Sequence, residues 1–260
     1  MSSELKTERR GSTLVLTLSD PATRNTLSEQ LVSAGIESLN TAESNDEVRA
    51  VILHGDGGNF CAGGNLRGLQ ARRQAGSSAQ VQVLDQLHQF IEALRVFPKP
   101  VIAAVEGAAA GAGFSLALAC DLVVAAEDAR FILSYARIGV TPDGGATWHL
   151  LLDQLPRQLV QQWVWLAEPV SARQLLAHGL VNWVTDSGQA LTHALEVAGR
   201  LAAMAPNAVA GAKELVHHAA TASLTQQLEA ERSHFVEHLF HPNAGEGIQA
   251  FLDKRPPQFK

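Results

Sequence analysis

Val101-Ile102-Ala103-Ala104-Val105 runs without a break into Glu106-Gly107-Ala108-Ala109-Ala110-Gly111-Ala112-Gly113-Phe114. An uninterrupted apolar run of this length reads as a strand buried on both faces, and the small residues after it read as a turn that opens a helix. The same arrangement occurs earlier in the chain. Arg49-Ala50-Val51-Ile52-Leu53-His54 is a short apolar strand leading into Phe60-Cys61-Ala62-Gly63-Gly64-Asn65-Leu66, again ahead of a helix. Such turns leave N–H groups bare, because no bulky side chain blocks them and the first amides of a helix lack internal partners. Two such amides converging on one point would hold a carbonyl oxygen as it becomes an oxyanion, which suggests thioester chemistry through an enolate.

Outward from these turns, the first half alternates strands with helices. Thr13 to Leu18 alternates like a strand that Ser19-Asp20-Pro21 ends, and Ser28 reads as the N-cap of a helix to about Glu43. Arg72 to Ser78 reads as a polar, flexible stretch. A helix is expected from Ala79 to Phe97, stopped by Pro98-Lys99-Pro100. Asp121–Ala126 and Ala129–Ile132 complete the β-rich part. From Asp143 onward the pattern is mainly helical, with one short strand near Leu180 to Val184 and helices over Leu191–Met204, Asn207–Thr221, Leu224–Leu239 and Gly245–Leu252. A largely parallel β/α core with a C-terminal helical part follows.

The 260 residues accommodate one large domain, or a domain with a helical appendage, and the 46% hydrophobic content suffices for a sizeable core. No stretch of about 18 uncharged apolar residues suggests a membrane span. The segment Met1-Ser2-Ser3-Glu4-Leu5-Lys6 lacks the apolar core of a signal peptide, and Gln258-Phe259-Lys260 is no peroxisomal tripeptide, so the cytoplasm is the expected compartment. A net charge of −6 argues against nucleic acid as the main partner. Cys61 and Cys120, both in apolar surroundings, read as buried reduced thiols.

Four stretches carry a resemblance to the crotonase superfamily, the enoyl-CoA hydratase/isomerase family, over nearly the whole chain. They are Asn59 to Leu66, Gly107 to Asp121, Gly139-Val140-Thr141-Pro142-Asp143-Gly144-Gly145, and Ala250-Phe251-Leu252-Asp253-Lys254-Arg255. The resemblance implies an α/β crotonase (ClpP-like) fold of repeated β-β-α units. Residues 1–200 would form the acyl-CoA-binding core, and 201–260 a helical region for contacts in a homotrimer or dimer of trimers. It puts the oxyanion amides at Gly64 and Ala112, with Ala62 beside the first. It implies no cofactor and no metal, since coenzyme A is part of the substrate.

Hydratases of this family use two glutamates, and this chain matches those positions with Ser115 and Tyr135. A serine hydroxyl neither takes nor gives a proton well near neutral pH, so the ordinary hydratase reading loses its chemical basis. A carboxylate occurs instead at Asp143, where several branches of the family place their acid. In motif, Pro142-Asp143-Gly144-Gly145-Ala146-Thr147-Trp148 is closest to the 1,2-epoxyphenylacetyl-CoA isomerase-like branch. With Ile138, Val140 and Trp148 as apolar neighbours in sequence, burial is expected to raise the Asp143 carboxyl toward neutrality, as suits a base. The bland alternative is that Asp143 caps a helix beginning near Gly144.

The expected activity is therefore acyl-CoA isomerisation: a double-bond shift, or rearrangement of an unsaturated ring, with Asp143 as proton shuttle. An atypical hydratase, an Asp143-nucleophile dehalogenase or hydrolase, and a silent acyl-CoA or RNA binder are the alternatives. Tyr135, Ser115 and Trp148 are candidate pocket residues. Arg24, Phe251 and Lys254 match family positions that contact coenzyme A, and a lysine near a phosphate is chemically sensible. Asn65 reads as a neutral helix cap. His234 and His238, spaced for one helix face, lack the acidic or cysteine partners that a zinc site needs.

Overall fold

The computed structural model describes residues 3–152 and 155–260; residues 1 and 2 of the N-terminal segment, and residues 153 and 154 within the 1–200 span, lie outside the described residues. In chain order the first elements are β1 (Glu4–Arg10), β2 (Thr13–Ser19), α1 (Glu29–Glu43), β3 (Ala50–Gly55), α2 (Leu66–Ala75), α3 (Ser77–Val96), β4 (Val101–Val105), β5 (Ala108–Ala110) and α4 (Ala112–Ala119). There follow β6 (Leu122–Ala126), β7 (Arg130–Ile132), α5 (Ala146–Leu152), α6 (Arg157–Leu166), β8 (Val170–Ser171), α7 (Ala172–Ala177) and β9 (Trp183–Thr185). The chain then continues through α8 (Ala190–Ala202), α9 (Pro206–Ala219), α10 (Leu224–Leu239) and α11 (Pro242–Leu252).

The main sheet has the order β1-β2-β3-β4-β6-β9, antiparallel only between β1 and β2. Alternation along β3 explains how both faces are covered. Val51 and Leu53 join the large core with Leu31, Leu39, Phe90 and Phe114, while Ala50 and Ile52 point to the opposite face. There they meet Ala190, Ala194, Val197 and Ala198 of α8, spaced along one helical stripe. A fully buried side chain such as Phe90 contributes on the order of 2–3 kcal/mol by leaving water. Ser28 caps α1 as expected, its Oγ accepting the Leu31 amide at 3.1 Å.

The structure adds three strands and corrects one stretch. β1 is an edge strand of mostly exposed charged and polar residues, without the apolar alternation that marks a buried strand. β5 and β8 span three and two residues and belong, with β7, to a second small sheet. The stretch from Arg72 to Ser78 is not a flexible linker: α2 continues to Ala75, Gly76 turns the chain at φ +107°, and α3 starts at Ser77. Polarity misled there, because α2 has no buried residue to mark it by periodicity. Near the far end of α4, Asp121 ties two elements together. Its Oδ2 accepts from the Val101 amide at 2.8 Å and from Lys213 Nζ of α9 at 2.7 Å.

Candidate active site

The two small-residue turns lie against each other. Phe60 N donates to the Glu106 carbonyl at 2.8 Å, Cys61 N to Ala108 at 2.9 Å, and Ala110 N to the Cys61 carbonyl at 2.8 Å. The fit requires absent side chains. A Cβ on Gly113 would lie 2.2 Å from the Cys61 carbonyl oxygen, and one on Gly63 would lie 2.6 Å from that of Ala110. A third segment docks from the other side: Ala62 N donates to the Arg24 carbonyl at 2.9 Å and Leu27 N to Gly63 at 2.8 Å. Buried Asn25 fixes that segment through Nδ2, which donates to the carbonyls of Asp56 and Asn59 at 2.8 and 2.7 Å.

Gly64 precedes α2, whose cap Asn65 accepts from the Arg67 and Gly68 amides, and Ala112 is the first residue of α4. Among the described residues neither the Gly64 nor the Ala112 N–H donates to another protein group. Both residues line one cavity of about 50 Å³ together with Asp143. Leu69, Val83, Leu84 and Leu87 supply its apolar wall. A larger cleft of about 880 Å³, between Arg49, Lys99 and the C-terminal helices, lies away from both turns and presents neither free amide.

Asp143 is half-buried, and its surroundings differ from those expected. Ile138, Val140 and Trp148 are each about half exposed; the contact made by the Asp143 carboxylate is polar, with Tyr135 Oη donating to Oδ1 at 2.7 Å. Burial first, and the Asp143 charge second, push the Tyr135 phenol far above its ordinary value, so it stays a proton donor. Ser115 is fully buried beside this pair. Its Oγ lies close enough to Tyr135 to oppose that shift slightly, yet it makes no hydrogen bond of ordinary geometry. Gly144 passes so near that a Cβ there would meet Ser115 at 2.7 Å. Asp143 is not the cap of α5, which begins three residues later at Ala146. Its backbone carbonyl instead accepts from His88 Nε2 of α3 at 2.7 Å.

The structure thus gathers Gly64, Ala112, Asp143, Tyr135 and Ser115, with Ala62 alongside. Arg24 adjoins the first turn through its backbone, and its side chain is exposed. Trp148 does not line the cavity: Arg95 stacks over its ring at 4.4 Å. Phe251, 84% exposed, and Lys254 lie at the end of α11, also outside the cavity lining. Three residues were missed from sequence, namely Asn25, His88 and Arg72. Asn25 and His88 act over separations of 31 and 55 residues, and no local pattern marks such a contact. Cys61 is buried at the seam, where burial pushes its thiol up to about 12, and is chemically quiet.

A stack of β-strands and helices in which two free amides and a carboxylate line one small cavity is the arrangement of the crotonase fold. The family model for enoyl-CoA hydratase/isomerase matches residues 8–260, and the chain belongs to that family. It is 35% identical to the 2,3-dehydroadipyl-CoA hydratase of Escherichia coli K12, over 99% of each chain. To the 1,2-epoxyphenylacetyl-CoA isomerase of the same organism it is 32% identical, covering 95% of this chain and 94% of that one. A solved structure of an enoyl-CoA hydratase from Polaromonas sp. JS666 superposes with a TM-score of 0.97 at 53% identity, covering 99% and 100% of the two chains.

Proposed function

We propose that this protein is an acyl-CoA isomerase that moves a double bond, or rearranges an unsaturated ring, through an enolate. The observation that carries the reading is the Asp143 carboxylate held by Tyr135, with neutral Ser115 beside it where a second carboxylate would otherwise help to activate water. With a 3-enoyl-CoA, Asp143 takes a proton from C2 and the electron pair moves onto the thioester oxygen. The Gly64 and Ala112 amides hold the resulting dienolate. Asp143 then returns the proton to C4, leaving the double bond between C2 and C3. One carboxylate suffices, because the same proton is taken and returned. Tyr135 aims the carboxylate and stays protonated through the cycle.

The hydratase names among the relatives favour a second reading, in which Asp143 works on a bound water. Self-association as a homotrimer or dimer of trimers is proposed as well, since the C-terminal helices expose Phe235, Phe240 and Phe251. The decisive assay follows 2-enoyl-CoA formation from a 3-enoyl-CoA by absorbance. Wild type is expected to turn over, and Asp143→Asn to lose about a thousand-fold in kcat, within the range of general acid–base contributions. Hydration of 2-enoyl-CoA without isomerisation would select the second reading.

A further inference from the structure

Arg72 stands in the last turn of α2, half-buried, on the wall of the cavity that holds the two free amides and Asp143. Its Nε donates to Gln80 Oε1 of α3 at 2.7 Å, across the turn at Gly76. Gln80 is neutral, and among the described residues no carboxylate pairs with the guanidinium. A half-buried guanidinium whose Nε is held by one neutral acceptor keeps donor capacity for a further acceptor, with the Glu29 and Asp143 carboxylates elsewhere on the same cavity wall. It therefore favours an anion that can accept two parallel hydrogen bonds. Gln86 lines the same cavity, and its buried side-chain oxygen has no partner.

Which part of an acyl-CoA meets Arg72 follows from the other wall residues. The amides fix the thioester oxygen and Asp143 fixes the carbons next to it. The coenzyme's phosphates are separated from the thioester by the whole pantetheine arm. A guanidinium inside this small cavity is therefore placed for the acyl chain. Leu69, Val83, Leu84 and Leu87 line the way between, and the cavity, at about 50 Å³, has to widen to take the methylenes.

We propose that Arg72, oriented by Gln80, recognises a carboxylate at the far end of the acyl chain, so that the substrates are ω-carboxyacyl-CoA thioesters. This assignment rests on the reading of the cavity as an acyl-CoA site and deepens it by naming the substrate class. A chain ending in a methyl group leaves the half-buried guanidinium with its Gln80 bond alone and so binds less tightly.

The test is calorimetric binding of two saturated thioesters that cannot react, hexanoyl-CoA and its ω-carboxy counterpart adipyl-CoA. Wild type is expected to bind adipyl-CoA about ten-fold more tightly. Arg72→Met brings the ratio below two-fold, and Arg72→Lys, which keeps the charge and loses the fork, leaves an intermediate ratio of about three-fold. Thermal melting identifies a variant that has not folded, and the wild-type and Arg72→Lys ratios then decide. Equal binding of the two thioesters by wild type overturns the proposal. A ten-fold preference surviving in Arg72→Met also overturns it, as does an equal loss for both thioesters, which would put Arg72 on the coenzyme. Because the probes are unreactive, failure of the isomerase assay with the ten-fold preference intact would reject the reaction and leave the substrate class standing.

Discussion

The two turns that offer the free amides are held in different ways. The second opens α4, a helix buried almost all round, with Phe114 packed against Phe131 at a ring separation of 5.1 Å. Its position is set by the core on every side. The first opens α2, which buries no residue, and Gly64 itself is exposed. That turn is positioned by backbone hydrogen bonds to the segment from Arg24 to Leu27 and by the Asn65 cap. An oxyanion site thus pairs an amide fixed by packing with one fixed by hydrogen bonds. Packing tolerates no added volume, whereas a hydrogen-bonded turn loses its stability in small increments.

The largest expected effect comes from adding volume at the seam. Gly113→Ala forces a methyl into the Cys61 carbonyl, and neither backbone can yield, since both are paired. We expect a loss of about 3 kcal/mol or more in chemical denaturation, with isomerase activity abolished because the two amides separate. A stable, active Gly113→Ala protein would break the comparison by showing that the seam is soft.

Acid is expected to weaken the packed side next. His149 of α5, which packs on α4, is buried, and burial, with the Arg95 charge second, lowers its imidazole to about 4. The unfolded chain takes up this proton near pH 6.5, while the folded chain refuses it until about pH 4. The stabilisation is therefore complete above pH 6.5 and is lost as pH falls toward 4. Melting temperature followed from pH 7 to pH 5 should drop, and His149→Gln should remove that share of the slope. His54, also held below its usual value by burial, contributes in the same sense and remains in the variant.

The smallest effect belongs to the first turn. Asn65→Ala removes the acceptor of two amides and should cost about 1 kcal/mol, or 2–4 °C in Tm. Alkylation sharpens this point, because Cys61 lies at the seam and Cys120 at the end of α4. If the first turn is the one that opens, Asn65→Ala should speed modification of Cys61 by about five-fold and leave Cys120 unchanged. Equal acceleration at both thiols would mean that the turns open together.

Sequence alone determined the strands read at 13–18, 49–54 and 101–105, each within a residue of its observed place, the cap at Ser28, both turns and the long helices. The strands rest on alternation or on an unbroken apolar run, the helices on a repeat of three to four residues, the cap on a side chain bonding its neighbouring backbone and the turns on small residues; such signals survive without knowing the fold. The resemblance also selected Gly64, Ala112 and Asp143, which the structure brings to one cavity. What only the tertiary structure decided is who meets whom. Tyr135 Oη on Asp143, His88 under its carbonyl, Asn25 locking the first turn and Arg72 on the cavity wall all depend on how separate elements pack. The apolar neighbours of Asp143 in sequence are half exposed: Ile138 ends a 3-10 turn, Val140 lies in the coil after it, and Trp148 takes an exposed position of α5. Local chemistry writes the elements and their turns; the charge and hydrogen bonds at the site are set by groups that meet only when those elements pack together.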